Sequence, residues 1–280
     1  MKNLQNWVEQ QGLRIDSEER LSGGCIASAK RVVLSDGQQL FVKSVSQANE
    51  RMFEAEAAGL QALSACAELS IPKVIQFDRD GLIIEFIEQS PKAEDFDQVL
   101  GRQLAHLHQM PVPSFGFPQN TFCGPTEQPN SQLKDGFEFY AEHRFGYLAR
   151  ICYDRGIIDK EIIEGIESIN KRLKQLVPDQ APALLHGDLW VGNVIANNQG
   201  KPVLIDPAVY WGWPEADLAM TDLFGGFSSD LYSAYREIAP LHSGWKERFS
   251  LYNLWHLLNH LLLFGESYRA DVMGVVAKFR

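Results

Sequence analysis

His186-Gly187-Asp188-Leu189-Trp190-Val191-Gly192-Asn193, followed thirteen residues after Asn193 by Asp206 in Leu204-Ile205-Asp206-Pro207, sets two carboxylates and a carboxamide on adjoining short segments. Between them, two β-prone runs at 194–196 and 203–206 flank Asn197-Asn198-Gln199-Gly200, which reads as a hairpin turn. Isolated Asp and Asn residues usually cap turns. Here the company they keep points to chemistry. Phosphoryl transfer needs divalent cations across the phosphates and a carboxylate to take the attacking hydroxyl's proton. Asp188 is the candidate base. Asn193 and Asp206 are candidate Mg²⁺ ligands, since hard cations choose oxygen donors.

Outward from this centre the chain changes character. Residues 89–280 are mainly helical by pattern: Leu100, Leu104 and Leu107 mark one helix, Ile162, Ile166, Ile169, Leu173 and Leu176 a second, and Leu254, Leu257, Leu258 and Leu261 a third. The Pro- and Gly-rich segment 111–129 reads as a long ordered loop. Residues 1–88 read as a small α+β unit with strands at 31–34, 39–45, 74–77 and 82–87, separated by Ser22-Gly23-Gly24, Asp36-Gly37 and Asp80-Gly81, and one helix at about 50–67. The expected fold class is therefore α+β and bilobal, with a β-rich N-lobe, a larger helical C-lobe and a cleft between them for a ligand.

Lys43 interrupts the otherwise apolar run Leu40-Phe41-Val42-Lys43-Ser44-Val45. A solvated edge lysine would explain it alone. On the helix, however, Glu56 shares the stripe of Phe53, Ala57, Leu60 and Leu63, while Glu54 points away. An inward Glu needs a partner. The pairing predicts an ion pair that aims Lys43 at a nucleotide's α- and β-phosphates. Gly23 and Gly24 sit where a phosphate loop would lie, and Cys25 beside them is either an inert small residue or an oxidisable thiol. Glu85, Phe86 and Ile87 end the last strand where the lobes join, as a hinge whose backbone would meet the adenine edge.

Composition bounds the rest. The 280 residues carry 26 basic and 36 acidic side chains, a formal charge of −10, which argues against nucleic-acid or anionic-membrane binding. Residues 1–11 hold one Lys and no apolar run, and 254–264 is shorter than a membrane span and broken by His256, Asn259 and His260. A soluble cytoplasmic protein is expected. The cysteines at 25, 66, 123 and 152 make no metal-finger spacing and read as reduced thiols.

The Asp-x-x-x-x-Asn interval resembles the protein-kinase catalytic loop, with His-Gly-Asp replacing His-Arg-Asp. More closely, Leu184-Leu185-His186-Gly187-Asp188-Leu189-Trp190, Lys201-Pro202-Val203-Leu204-Ile205-Asp206-Pro207-Ala208 and Glu215-Ala216-Asp217-Leu218-Ala219-Met220 resemble the fructosamine (ketosamine) 3-kinase family of the protein-kinase-like superfamily. Weaker likenesses run through Gly23-Gly24-Cys25-Ile26, Phe53-Glu54-Ala55-Glu56, Gln128-Pro129-Asn130, Glu142-His143-Arg144 and Leu258-Asn259-His260. Ala27-Ser28-Ala29 and Val191 depart from the family pattern. The resemblance implies ATP- and Mg²⁺-dependent phosphorylation of the 3-hydroxyl of a free or protein-bound ketosamine, and so deglycation. Asp188 is then the proton acceptor and residues 85–87 the nucleotide hinge.

For the sugar adduct, Trp190 is the expected aromatic face, with Tyr210 next, then Trp211 and Trp213; aromatics at such places are otherwise core. His260 is carried as a substrate contact, on a polar stripe with His256 and Asn259. Asp217 is expected to orient the catalytic loop through backbone N–H groups. Two other readings stay open: a kinase of another small hydroxylated amine, in the manner of aminoglycoside or choline kinases, and a silent nucleotide binder. The residues give no sign of oligomeric state.

Overall fold

The computed structural model describes residues 2–21, 28–45, 49 and 51–280. Gly23, Gly24 and Cys25 lie outside the described residues. Helix α1 (Lys2–Gln10) precedes strands β1 (Ile15–Leu21), β2 (Ser28–Leu34) and β3 (Gln39–Ser44); α2 (Met52–Leu63) then leads to β4 (Val74–Asp78) and β5 (Gly81–Glu85). The five strands form one antiparallel sheet in the order β1-β2-β3-β5-β4.

Alternation along β3 decides what each sheet face carries. Leu40 and Val42 turn to one side, where Leu4 and Val8 of α1 cover them together with Val32, Leu34 and Ile83. Phe41 and Val45 belong to the other side and pack with α2, so Lys43 shares that face. Phe53, Leu60 and Leu63 on α2 are at most 1% exposed. Each such burial contributes about 1.5–3 kcal/mol, enough together to fix the rotation of the helix and with it the inward aim of Glu56.

The remainder is helical with short β pairs. It runs α3 (Phe96–His108), β6 (Thr121–Cys123), β7 (Thr126–Gln128), α4 (Gly136–Tyr140), a π-helical turn at Ala141–Phe145, α5 (Gly146–Asp154) and α6 (Lys160–Leu176). Then come β8 (Ala183–Leu185), a 3₁₀ turn at Val191–Asn193, β9 (Val194–Ala196), β10 (Pro202–Leu204) and β11 (Tyr210–Gly212). The chain ends in α7 (Pro214–Leu223), α8 (Ser229–Ile238), α9 (Trp245–Tyr252), α10 (Leu254–Phe264) and α11 (Arg269–Phe279). One apolar core joins α3, α5 and α6 to the later helices. Where α3 crosses α8 the backbones nearly touch: a Cβ on Gly101 would run into the Leu231 carbonyl. Among the described residues no helix is long and apolar enough to cross a membrane.

The β9–β10 hairpin closes through Asn197 N–H to Lys201 O at 2.9 Å, with Gly200 at φ 75°. Several expectations are corrected. Segment 111–129 is not loop throughout: β6 and β7 form a hairpin inside it, too short to leave a periodic pattern. Asn120 and Asn130 clamp its base, Asn130 N–H donating to Asn120 Oδ1 at 3.0 Å, and Thr121 Oγ1 donates to Val209 O at 2.9 Å. Helix α2 covers 52–63 rather than 50–67. Strand β5 ends at Glu85, two residues early, because Phe86 N–H to Gln39 O is the last bond of that ladder.

Candidate active site

Strand β8 delivers the chain to His186, and the turn that follows is held from beneath. Asp217, at the start of α7, accepts the backbone N–H of His186 (2.7 Å) and of Gly187 (2.9 Å) on its two oxygens. His108 Nε2 stands 3.3 Å from the same carboxylate, with Nδ1 2.9 Å from Tyr235 Oη. Burial alone would raise the Asp217 carboxyl, but these donors outweigh it and hold it below the usual carboxylate range. Gly187 is required: φ is 81°, and a Cβ there would collide with the Ala208 carbonyl. His186 is fully buried, its Nε2 3.0 Å from Ile205 O and its Nδ1 accepting the Asp188 N–H at 3.3 Å, which fixes the tautomer with the proton on Nε2.

This scaffold points Asp188 into a cavity of about 520 Å³. Asn193 Nδ2 donates to Asp188 O (2.8 Å), to Asp188 Oδ2 (3.0 Å) and, at 3.4 Å, to Asp206 O. Burial pushes the Asp188 carboxyl up to about 7 against the Asn193 hydrogen bond, with Asp206 and Asp217 adding to the rise. Asp206 holds φ 52°, the sole non-glycine with positive φ among the described residues. The hairpin brings its carboxylate over to the sheet, where Lys43 Nζ lies 3.1 Å from Asp206 Oδ1 and 3.0 Å from both oxygens of Glu56. Burial works to neutralise the Lys43 ammonium; the two carboxylates overcome it and hold the charge more firmly than in an ordinary lysine.

Lys43, Glu56, Asp188, Asn193 and Asp206, drawn from both halves of the chain, thus line one cavity. Trp190, 37% exposed, lines it too, as do Asn259 and His260 of α10. Sequence reading missed the aromatic wall opposite: Phe224 stands edge-on to Trp190 (6.0 Å) and to His260 (5.3 Å), and Phe264 and Tyr268 stack with His260 at 5.5 and 5.0 Å. Its trace in the sequence is the four-residue steps from His260 to Phe264 and Tyr268, together with Leu223-Phe224-Gly225 and Leu263-Phe264-Gly265, which carry the family likeness but by themselves name no role at the site. Cys123, at the end of β6, also lines the cavity.

Tyr210 does not, and its expected place at the substrate is corrected. It is 5% exposed, with its ring under the Arg144 guanidinium (3.9 Å) and its hydroxyl 3.3 Å from Tyr140 Oη. Pairing of β11 with β8 turns it into the aromatic core. Trp213 is core as well, stacked on Tyr140 at 4.1 Å, while Trp211 packs against Phe117. Glu85, Phe86 and Ile87 line a separate cavity of about 790 Å³ beside the junction of the two halves, with Lys73 and Asn197.

The family profile Fructosamine kinase matches residues 1–279. The chain belongs to the fructosamine kinase family. It is 38% identical over 276 residues to a "Probable ketoamine kinase" of Synechocystis sp., an alignment covering 95% of this chain and 91% of that protein. Against the chloroplastic protein-ribulosamine 3-kinase of Oryza sativa subsp. japonica the identity is 35% over 286 residues, 98% of this chain and 82% of the relative. A crystal structure from Thermobifida fusca YX-ER1, provisionally named a fructosamine-3-kinase, superposes with a TM-score of 0.91 at 34% identity, covering 98% and 96% of the two chains. An ADP-bound aminoglycoside phosphotransferase shares the fold alone, at a TM-score of 0.61 and 16% identity over 98% and 96%. Two stretches that carried the family likeness meet in space: Arg144 donates to Pro129 O (2.9 Å) and to Asn130 Oδ1 (2.7 Å).

Proposed function

We propose that this fructosamine kinase family member transfers the γ-phosphoryl group of ATP to the 3-hydroxyl of a ketosamine, the adduct of a sugar with an amine, and so initiates deglycation. The observation that carries the reading is the meeting of the Asp188 carboxylate, the Lys43 ammonium and the Trp190 face around one cavity, in a chain whose relatives are named ketoamine and ribulosamine kinases.

Asp188 accepts the proton of the attacking hydroxyl, and a carboxyl near 7 is well placed to take it at neutral pH. Lys43, aimed by Glu56, binds the α- and β-phosphates. Asn193 spends its N–H groups on Asp188 and the Asp206 carbonyl, its amide oxygen has no hydrogen-bond partner among the described residues, and Asp206 gives Oδ1 to Lys43. The Asn193 amide oxygen and the Asp206 carboxylate fit Mg²⁺, which when bound neutralises charge on the phosphates. Glu85 and Phe86 N–H groups are taken by Lys73 O and Gln39 O, so the adenine edge falls to the backbone from Ile87 onward. Trp190 offers a face to the sugar's C–H side, and His260, which lines the same cavity, a polar group to its hydroxyls. The amine's substituent then lies along Phe224, Phe264 and Tyr268.

ADP release with Mg-ATP and a panel of ribulosamines, fructosamines, choline and an aminoglycoside tests this. Turnover of ketosamines, with ³¹P NMR locating the phosphate on the third carbon, is the expected result. Turnover confined to choline or the aminoglycoside would overturn it.

A further inference from the structure

At the wall of the cavity, behind Asp188 and Cys123, stands a second set of candidate ligands, different in kind from the oxygens of Asn193 and Asp206. Cys123 closes β6, Asp188 sits in the catalytic turn and His256 lies on the first turn of α10. One ligand atom from each, thiol sulfur, carboxylate oxygen and ring nitrogen, lies within 4.8 Å of the other two. His256 Nδ1 is 4.0 Å from Asp188 Oδ1, and the His256 side chain is only 9% exposed. This contact is no ion pair, because burial keeps the imidazole neutral, with its acidity shifted to about 3. The Nδ1 atom is buried with no hydrogen-bond partner among the described residues. A buried polar atom left unpaired is costly, and a cation between it and the other two ligands would satisfy it.

We propose that Cys123, Asp188 and His256 form a binding site for a borderline divalent cation of the Zn²⁺ class, distinct from the Asn193 and Asp206 oxygens and blocking the base when filled. Three protein ligands of S, N and O type leave a fourth position open, the pattern of an accessible zinc site rather than a closed structural one. Mg²⁺ has little use for a thiol and an imidazole, so the donor types sort the two metals. Ligand atoms around zinc stand about 3.5 Å apart, so the three must close by about half an ångström between His256 and Asp188 and by up to about 1.3 Å elsewhere. Side-chain rotation supplies that much. Burial pushes the Cys123 thiol well up, a cost that the cation's own charge offsets by displacing the thiol proton. Asp188 is the group that meets the acceptor's hydroxyl, so a cation bound to it competes with the acceptor and not with ATP.

Equilibrium dialysis of nucleotide-free protein against Zn²⁺, in a Cys25→Ser background, should give one equivalent bound. Co²⁺ in its place should show a thiolate charge-transfer band. Cys123→Ala should abolish the band, and Cys123→Ala and His256→Gln should each weaken Zn²⁺ binding at least tenfold. One-equivalent binding unchanged in both variants, or a Co²⁺ complex without the band, would overturn the site. A second arm rests on Asp188 being the base: in excess Mg²⁺, Zn²⁺ should inhibit the Cys25→Ser protein competitively with ketosamine, and Cys123→Ala much less, each against its own zinc-free rate. Equal inhibition of both would assign the effect to Asn193 and Asp206 and overturn this arm. Absence of any ketosamine turnover would sink the functional reading while leaving the dialysis result to stand.

Discussion

Burial makes the charged form of Asp188 costly, and that cost has a sign. Its folded-state pKa is raised from 3.8 to about 7, so the folded chain holds the proton more tightly than the unfolded one. The stability this contributes is complete below about pH 4, is lost as the pH rises towards 7, and is absent above. Asp188→Asn should therefore stabilise the metal-free protein at pH 8 by up to about 4 kcal/mol, with the gain shrinking towards pH 5, as read by urea denaturation at the two pH values. Equal stability of the two proteins at pH 8 would contradict this. The same substitution should retain ATP affinity by calorimetry and lower kcat by about a hundredfold or more. Lys43→Met should weaken ATP binding and destabilise the fold by leaving Glu56 buried alone; adding Glu56→Gln should recover stability without recovering ATP. The encounter of Asp188, Asn193 and Asp206 was legible because it is local, made by one short interval and one hairpin. Glu56 was legible because a helix with a buried apolar stripe leaves its rotation no freedom. Tyr210 was not: closeness in sequence to Asp206 says nothing of which way a three-residue strand turns its rings.

Elements were readable in proportion to how much apolar surface they bury. Strands β2 to β5 and helices α2, α3, α6 and α10 carry continuous stripes. Strand β1 is Ile-Asp-Ser-Glu-Glu-Arg-Leu, its middle five residues all exposed at the sheet edge, so its polarity hid it. Helix α1 buries Leu4 and Val8 against the sheet, with Trp7 partly buried beside them. At the α3–α8 crossing the decisive fact is a missing side chain. Gly101→Ala should cost about 1–3 kcal/mol in denaturant unfolding, since the two backbones must separate to admit a methyl group. A cost near zero would mean that the helices slide apart freely. The π turn at 141–145 sets the aim of Arg144: removing one of its residues would rotate everything beyond it by about 100° around the helix and lose the bonds to Pro129 and Asn130.

At the scale of the whole molecule, the Lys43–Asp206 contact joins sheet and helical half directly. Mg-ATP at about a hundred times its dissociation constant should raise stability by about 2.7 kcal/mol in a thermal-shift or denaturant assay, and Lys43→Met should remove most of that gain. The segment between the halves, which opens with Gln89-Ser90-Pro91, is stitched to the β9–β10 hairpin. Ser90 Oγ donates to Asn197 O at 2.7 Å, Ala93 N–H to Gly200 O at 3.0 Å, and Lys201 Nζ grips both oxygens of Asp95 at 2.7 and 2.6 Å. A protease cuts only backbone it can draw out into an extended strand. Trypsin therefore meets, at Lys92, an inviting residue on a thread already sewn down, and should leave the two halves uncut there for as long as the hairpin stays folded.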